Sequence, residues 1–473
     1  MKPTKRQYEF ATKYYNEVHH TTLDPEGPGV VRIHLIPPKY SKDNIEASVA
    51  IINGQDIVPV NVSWSILLTA FIEEINKHSG TNVSDEEVQT IINNTCTTVK
   101  KVFPFITKKR LRTDIFRIMN TFKQIAYGEE VDEAIGYMSI GEYAGQMTAP
   151  HRMDLMVSAM TKEGKWHCNQ KCVHCYAAGQ ENSDEAELDT ASWKKIIDKC
   201  KGAKIPQVTF TGGEPTMRED LFELIEHAKW FITRLNTNGI KLTKDYCEKL
   251  KAASLDSMQI TFYSFDEGIH NKLVGAERYK DTVSGIENAI ETGLNVSINT
   301  PLCTLNKDYI STLKFLHEKG VKYVTCSGLI TTGNATKEES EYLQLSNAEV
   351  REIVREAVNY CYSNNMEISF TSPGWMDDAY CKELGISTPN CGACLSNMAI
   401  TPGGNVVPCQ SWLSDKPLGN MLNDTWEDIW NNEVCKERRK FSSLMRCECP
   451  LRVLKKKVKG LKKGNPIFKV KKY

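Results

Sequence analysis

Residues 166–176 read Trp166-His167-Cys168-Asn169-Gln170-Lys171-Cys172-Val173-His174-Cys175-Tyr176. Three thiols in a Cys-x3-Cys-x2-Cys pattern lie in one short segment, and soft thiolate ligands at this spacing suit a metal centre. A closed zinc site needs a fourth ligand, which His167 or His174 would supply. Iron–sulfur clusters are also held by closely spaced cysteines. Three ligands in place of four leave one iron open, the condition for a reactive cluster rather than an electron carrier. A second group of cysteines follows near the C-terminus: Cys391-x2-Cys394, then Cys394-x9-Gly404-x4-Cys409, Cys435, Cys447 and Cys449. Four cysteines there would also satisfy a structural zinc site. Cys96, Cys200, Cys247, Cys303, Cys326, Cys361 and Cys381 stand singly and read as small buried hydrophobes.

The first cysteine group must be positioned by the elements around it. Strand-like runs are expected at 153–160, 206–211, 231–236, 257–263, 294–299 and 321–327. Helical segments alternate with them near 189–202, 219–229, 243–253, 280–292 and 307–318. Six such repeats imply a parallel sheet, either doubly wound or a partial barrel, with ligands gathering at the C-terminal strand ends. The cysteines follow the first strand. The second strand ends Thr211-Gly212-Gly213-Glu214-Pro215. Two glycines there allow close approach of the backbone to a ligand, and a carboxylate can accept from an ammonium group. Asn236-Thr237-Asn238-Gly239 ends the third strand, Ser264 the fourth and Asn299 the fifth, and GLITTGNA (328–335) follows the sixth. Each of these also reads as a plain turn or cap.

The 3-then-2 cysteine spacing after a first strand, with Gly-Gly-Glu-Pro closing the next, resembles the radical S-adenosylmethionine (radical SAM) enzymes. The resemblance implies an α/β fold with a (β/α)6 partial TIM barrel over 146–345. It implies Cys168, Cys172 and Cys175 as ligands of a [4Fe–4S] cluster whose fourth iron is chelated by S-adenosylmethionine. Reductive cleavage of that cofactor would give a 5′-deoxyadenosyl radical that abstracts a substrate hydrogen. Gly212, Gly213, Glu214 and Pro215 would bind the cofactor amino group. His174 would lie near its adenine, and Asn238, Ser264 and Asn299 beside its ribose and carboxylate. An electron donor such as flavodoxin or ferredoxin is implied as a partner.

Residues 391–450, with PLGNM (417–421) and TWEDIW (425–430), resemble the SPASM extension of radical SAM enzymes that mature peptides. The expectation is a small cysteine-rich domain held by metal, with one auxiliary [4Fe–4S] cluster on Cys391, Cys394, Cys409 and either Cys447 or Cys449. The family's longer cysteine array is reduced here to Cys447-Glu448-Cys449, which argues against a second auxiliary cluster. Cys435 sits in a helical pattern and reads as structural. Residues 346–390 read as a helical linker and 451–473 as a basic tail. In the N-terminal 1–145, SVAII (48–52) and DIVPV (56–60) flank Asn53-Gly54, a hairpin signal. A helix follows from Ser63, and Ser84-Asp85-Glu86-Glu87 opens another, 85–101, with a capping box. This α+β unit at 48–101 resembles the winged-helix-like element with which peptide-modifying relatives bind a leader peptide as an added strand.

Composition bounds these readings. The chain has 473 residues, 41% of them hydrophobic and 25% charged, the balance of a globular protein of two or three domains. No apolar run reaches membrane-spanning length and the N-terminus has no apolar signal core, so a cytoplasmic location is expected. Net charge is zero, with Lys and Arg concentrated in the tail, so nucleic acid is not an expected partner. The expected substrate is a ribosomally made precursor peptide, ending in a crosslink, thioether or epimerised residue. Formylglycine formation as in anaerobic sulfatase maturases, a small-molecule radical enzyme and a non-catalytic electron-transfer module are the alternatives.

Overall fold

The computed structural model describes residues 4–14, 18–23, 31–36, 48–53, 56–78, 83–131, 136–145 and 147–452. The basic tail beyond Arg452 lies outside the described residues.

The N-terminal hairpin forms as its sequence predicts, β3 (Ser48–Ile52) pairing antiparallel with β4 (Asp56–Val60), and Asn53 after β3 has φ +47°. Two strands not legible in the sequence, β1 (His19–Leu23) and β2 (Val31–Ile36), complete an antiparallel sheet in the order β1-β2-β3-β4. Helix Val62–Ile75 starts at Asn61, whose side chain accepts from Trp64 N at 3.0 Å. It is buried continuously from Ser65 to Ile72, because helix Lys5–Tyr14 covers its far side with Phe10 and Ala11 against Ile66. Helix Asp85–Val102 carries the expected box, with Glu87 Oε2 accepting Ser84 N at 2.9 Å. A fourth helix, Lys108–Tyr127, places Lys108, Lys109 and Arg110 in solvent.

The second unit is a ten-stranded sheet. Its six expected parallel strands are β5 (Arg152–Ser158), β8 (Gln207–Gly212), β9 (Ile232–Thr237), β10 (Ser257–Thr261), β11 (Val296–Leu302) and β12 (Tyr323–Gly328). A short antiparallel pair, β6 (Thr161–Lys162) and β7 (Lys165–Trp166), leads into the cysteine segment. The crossover helices follow from their patterns. In Thr190–Gly202, Asp189 caps Ser192 N at 2.8 Å, and Trp193, Ile196, Ile197 and Cys200 at helical spacing are all buried. Along the strands one face is apolar and packs on the helices, including Leu155, Val157, Phe210, Leu235, Met258 and Ile298. The alternate face is polar: Gln259 Nε2 donates to Thr325 Oγ1 at 3.1 Å, and that hydroxyl to Asn299 Oδ1 at 2.9 Å. The sheet is a mixed α/β structure built around a polar lumen.

Two additions extend it. The segment expected as a helical linker holds helices Asn347–Ser363 and Asp378–Leu384, and between them β13 (Glu367–Phe370), a seventh strand parallel to β12. At the other edge β14 (Asn397–Ile400) runs parallel to β5, followed by antiparallel β15 (Asn405–Val407) and β16 (Gly419–Asn420). The cysteine-rich region is therefore not held by metal chemistry alone. Met398, Ile400, Val406, Leu418, Trp426, Ile429 and Trp430 join the main core.

The N-terminal sheet docks at the N-terminal ends of the parallel strands, where Ile36, Val49, Ile51 and Ile57 join the main core. Arg32 pins the contact: its guanidinium pairs with Asp256 and donates to Phe231 O at 2.7 Å. His20, His34 and Trp230 stack beside it at 4.5–5.5 Å between ring centroids. Arg32→Met should lower stability by about 3 kcal/mol, since it strands a largely buried carboxylate. Urea unfolding followed by limited proteolysis should show the N-terminal sheet released first.

Candidate active site

The segment Cys168–Cys175 has no regular secondary structure, and its neighbours hold it over the C-terminal ends of the strands. Lys171 N and Val173 N donate to Val274 O and Leu273 O at 2.9 and 3.0 Å, from the end of helix Glu267–Val274. Asn334, after β12, donates its backbone N–H to Cys175 O at 2.8 Å and its amide to Cys172 O at 3.1 Å. Ser340 Oγ donates to Val173 O at 3.0 Å. Asn238 Nδ2, past the end of β9, donates to Asn169 Oδ1 at 2.6 Å. Gly275 closes helix Glu267–Val274 at φ +63°, and a Cβ there would run into the Lys171 carbonyl.

The three thiols lie within electrostatic reach of one another. Burial and the charges of Cys175 and Cys168 push the Cys172 thiol well up. Burial first, then Glu214 and Cys175, push Cys168 up to about 12. Burial also raises Cys175. Among the described residues no three Cys, His, Asp or Glu side chains close on a point fit for a single ion. Three soft ligands grouped around a gap, each supplying one sulfur, fit an iron–sulfur cluster, whose binding would draw off the thiol protons.

Around this centre the other expected residues fall into three settings. Glu214 is buried, and its carboxylate accepts from Thr216 N at 3.0 Å, Thr216 Oγ1 at 2.6 Å, Thr237 Oγ1 at 2.7 Å and Asn238 N at 2.8 Å. It therefore ties the ends of β8 and β9 together, and Pro215 starts the short turn that Glu214 caps. Gly212 has φ +134° and a Cβ on it would strike the Ser158 carbonyl, while one on Gly213 would come within 2.7 Å of Ala159 O. The backbone that these glycines approach is that of the neighbouring strand. Ser264 caps the following turn, accepting from Asp266 N at 3.1 Å. Asn299 is not at a strand end, because β11 runs on to Leu302; it faces the lumen beside Thr325.

His174 is buried, and burial holds its imidazole down at about 4. Its Nε2 lies 3.1 Å from Tyr263 OH. Tyr263, which also hydrogen-bonds Cys172, is not singled out by the sequence, nor are Asn169 and Ser340, whereas Asn334 lies in the GLITTGNA segment that is. An aromatic residue just beyond the fourth strand was the only available signal for it.

The second cysteine group is partly assembled. Cys391, Cys409 and Cys449 share one buried cluster with Trp412 and Leu451. After burial, Cys391 and Cys449 are the charges that raise the Cys409 thiol. Cys394 has φ +56°, unusual for a residue with a Cβ, and its thiol hydrogen-bonds Cys435, whose Sγ accepts from Arg439 Nη1 at 3.4 Å. That bond and the charge of Arg439 hold Cys435 below the usual thiol range. Cys409 also acts on Cys394, so Cys394 adjoins both groups. Cys447 is not brought to them and lies by Asp378, Asp377 and Cys381. The single cysteines are buried, as read.

Residues 167–316 match the family model of the radical SAM superfamily, and residues 391–450 that of SPASM, an iron–sulfur cluster-binding domain. The chain carries a radical SAM domain and a SPASM domain. Radical SAM superfamily members are enzymes. The chain is 35% identical over 156 residues to a probable GTP 3′,8-cyclase of Methanopyrus kandleri, covering 32% of this chain and 49% of that protein. It is 24% identical over 301 residues to the mycofactocin maturase MftC of Mycolicibacterium smegmatis, covering 61% and 74%. The chain spans about half the length of the first curated relatives it matches. Its fold is similar to that of Streptococcus suis SuiB bound to its precursor peptide SuiA, with TM-score 0.57 and 15% identity over 86% of this chain and 93% of that one. Among the described residues no helix is long and apolar enough to cross a membrane.

Gly275→Ala should displace Lys171 and with it Cys168, Cys172 and Cys175. The expected result is a variant with unchanged circular dichroism that takes up several-fold less iron on anaerobic reconstitution.

Proposed function

We propose that the chain is a maturase that modifies a ribosomally made peptide, starting from hydrogen abstraction at a peptide carbon. The observation that carries this is the joining of the cysteine segment and Gly212-Gly213 at one mouth of the barrel to a SPASM domain and an N-terminal α+β unit in a single chain. Cys168, Cys172 and Cys175 would hold a [4Fe–4S] cluster. With S-adenosylmethionine bound, that centre supplies one-electron cleavage of the cofactor and a 5′-deoxyadenosyl radical. Gly212 and Gly213 would offer backbone carbonyls to the cofactor amino group, because the Glu214 carboxylate is already engaged by four donors. His174, held by Tyr263, would form an uncharged wall beside the adenine. The polar lumen, with Asn299, Thr325 and Gln259, would orient the cofactor's polar groups and the substrate backbone.

Support for a peptide substrate is the fold shared with SuiB and the relationship to a maturase. The N-terminal sheet would recognise the peptide. It does so as a docked part of the enzyme, since Val49, Ile51 and Ile57 belong to the main core. Reconstituted enzyme with S-adenosylmethionine and dithionite should release 5′-deoxyadenosine, and the Cys168→Ala, Cys172→Ala, Cys175→Ala triple variant should release none. A cognate precursor peptide should raise the yield and slow hydrogen exchange in β1–β4. Turnover on a small molecule with no change in that exchange would count against the peptide reading.

For the auxiliary centre we propose Cys391, Cys394, Cys409 and Cys449 as ligands. Cys449→Ser should then lose about four irons per chain relative to wild type, while Cys447→Ser keeps them, as read by iron and sulfide quantification.

A further inference from the structure

The opposite end of the barrel holds a cavity of about 480 Å³ that the cysteine mouth does not use. It lies between β4 of the N-terminal sheet and the N-terminal ends of the parallel strands, where Arg152 opens β5, Gln207 opens β8 and Arg234 sits near the start of β9. Its polar wall is not satisfied by the protein. The Arg234 side chain makes no hydrogen bond or ion pair with any described residue, and its Nε is buried without a partner. His151 is 8% exposed and Gln207 6%, and the Nε2 of each is likewise buried and unpartnered. Arg152, by contrast, is paired with the buried Asp154 at 2.8 Å.

A guanidinium partly withdrawn from water with no paired carboxylate is costly, as are buried amide and imidazole nitrogens without partners. The Asp154 carboxylate is already paired with Arg152, so the Arg234 fork is left without a carboxylate of its own. Asp56 also borders the cavity but forms no ion pair with Arg234. Ile57 and Met138 give the remaining wall an apolar surface.

We propose that this cavity binds a monocarboxylate with an apolar body. The planar Arg234 fork matches a carboxylate, Gln207 Nε2 donates to it, and the neutral His151 donates from Nε2 in the corresponding tautomer. The aliphatic part lies on Ile57 and Met138. A dianionic phosphate fits less well, since its second charge would face Asp154. The proposal is independent of the radical chemistry. Two sources share the chemistry: a free short-chain carboxylate, or a Glu side chain of a bound peptide.

The test is calorimetric titration of the reconstituted full-length protein with sodium butyrate, with sodium chloride and sodium phosphate as comparisons. Butyrate should bind saturably at one site and raise the melting midpoint by about 2–4 °C at high occupancy. Arg234→Met should weaken binding by at least about tenfold. Should that variant fail to fold, Gln207→Ala, expected to weaken binding by about fivefold, carries the same test. Acetylated, amidated Ala-Glu-Ala competing with butyrate where Ala-Gln-Ala does not would assign the site to a peptide side chain. Butyrate binding with no such competition would assign it to a free carboxylate. Absence of butyrate binding, equal binding by wild type and both variants, or chloride or phosphate matching butyrate would overturn the proposal.

Discussion

A segment without helix or strand keeps one shape only if its backbone groups find partners elsewhere, and Cys168–Cys175 is such a segment. Its partners come from far apart in the chain: Leu273 and Val274, Asn334 and Ser340, and Asn238 through Asn169. The barrel is what brings these together. Helix Glu267–Val274 follows β10, Asn334 follows β12 and Asn238 follows β9, so three strand ends converge on one loop. A parallel sheet supplies this convergence directly, because every strand delivers its following loop to the same side. The thiols are then held near one another against the cost of burial, which raises all three.

The same logic explains the glycines and the glutamate after β8. They read in the sequence as ligand contacts, and their first role in the fold is internal. Gly212 and Gly213 let β8 pass close to the end of β5, and Glu214 locks β8 to β9 through Thr237 and Asn238. A motif can be conspicuous because it shapes the mouth of a site as well as because it touches a ligand.

What could be read from residue order alone follows from which physical signals are local. Periodicity placed all six parallel strands and their helices within a few residues, because alternation of strand faces and the Trp193-Ile196-Ile197-Cys200 stripe are short-range patterns. The capping box at Ser84 was legible for the same reason. Strands β1 and β2 were not. HHTTL has weak alternation, and VRIHLI is buried along its whole length, so its pattern is that of no single exposed face. Nor could order alone divide the later cysteines. Cys447 and Cys449 are two residues apart, yet only Cys449 turns into the cluster with Trp412, while Cys435 lies against Cys394 from a helix forty residues on. Those groupings depend on tertiary contacts that spacing does not encode.

The cysteine-rich region also shows how packing can supplement metal in holding a small domain. A small domain of this size would ordinarily need a staple. Here β14 borrows the edge of β5, and Trp426, Ile429 and Trp430 enter the core of the larger unit. Glu185, from the loop after the radical SAM cysteines, accepts from Thr401, Gly403 and Asn405 and ties the two regions at a second point. Thr332 and Thr331 reach Ser411 and Leu451 at a third. Because the framework around Cys391, Cys409 and Cys449 is set by packing, loss of an auxiliary centre need not unfold the region. The two cysteine groups are then fixed relative to one another by the protein itself.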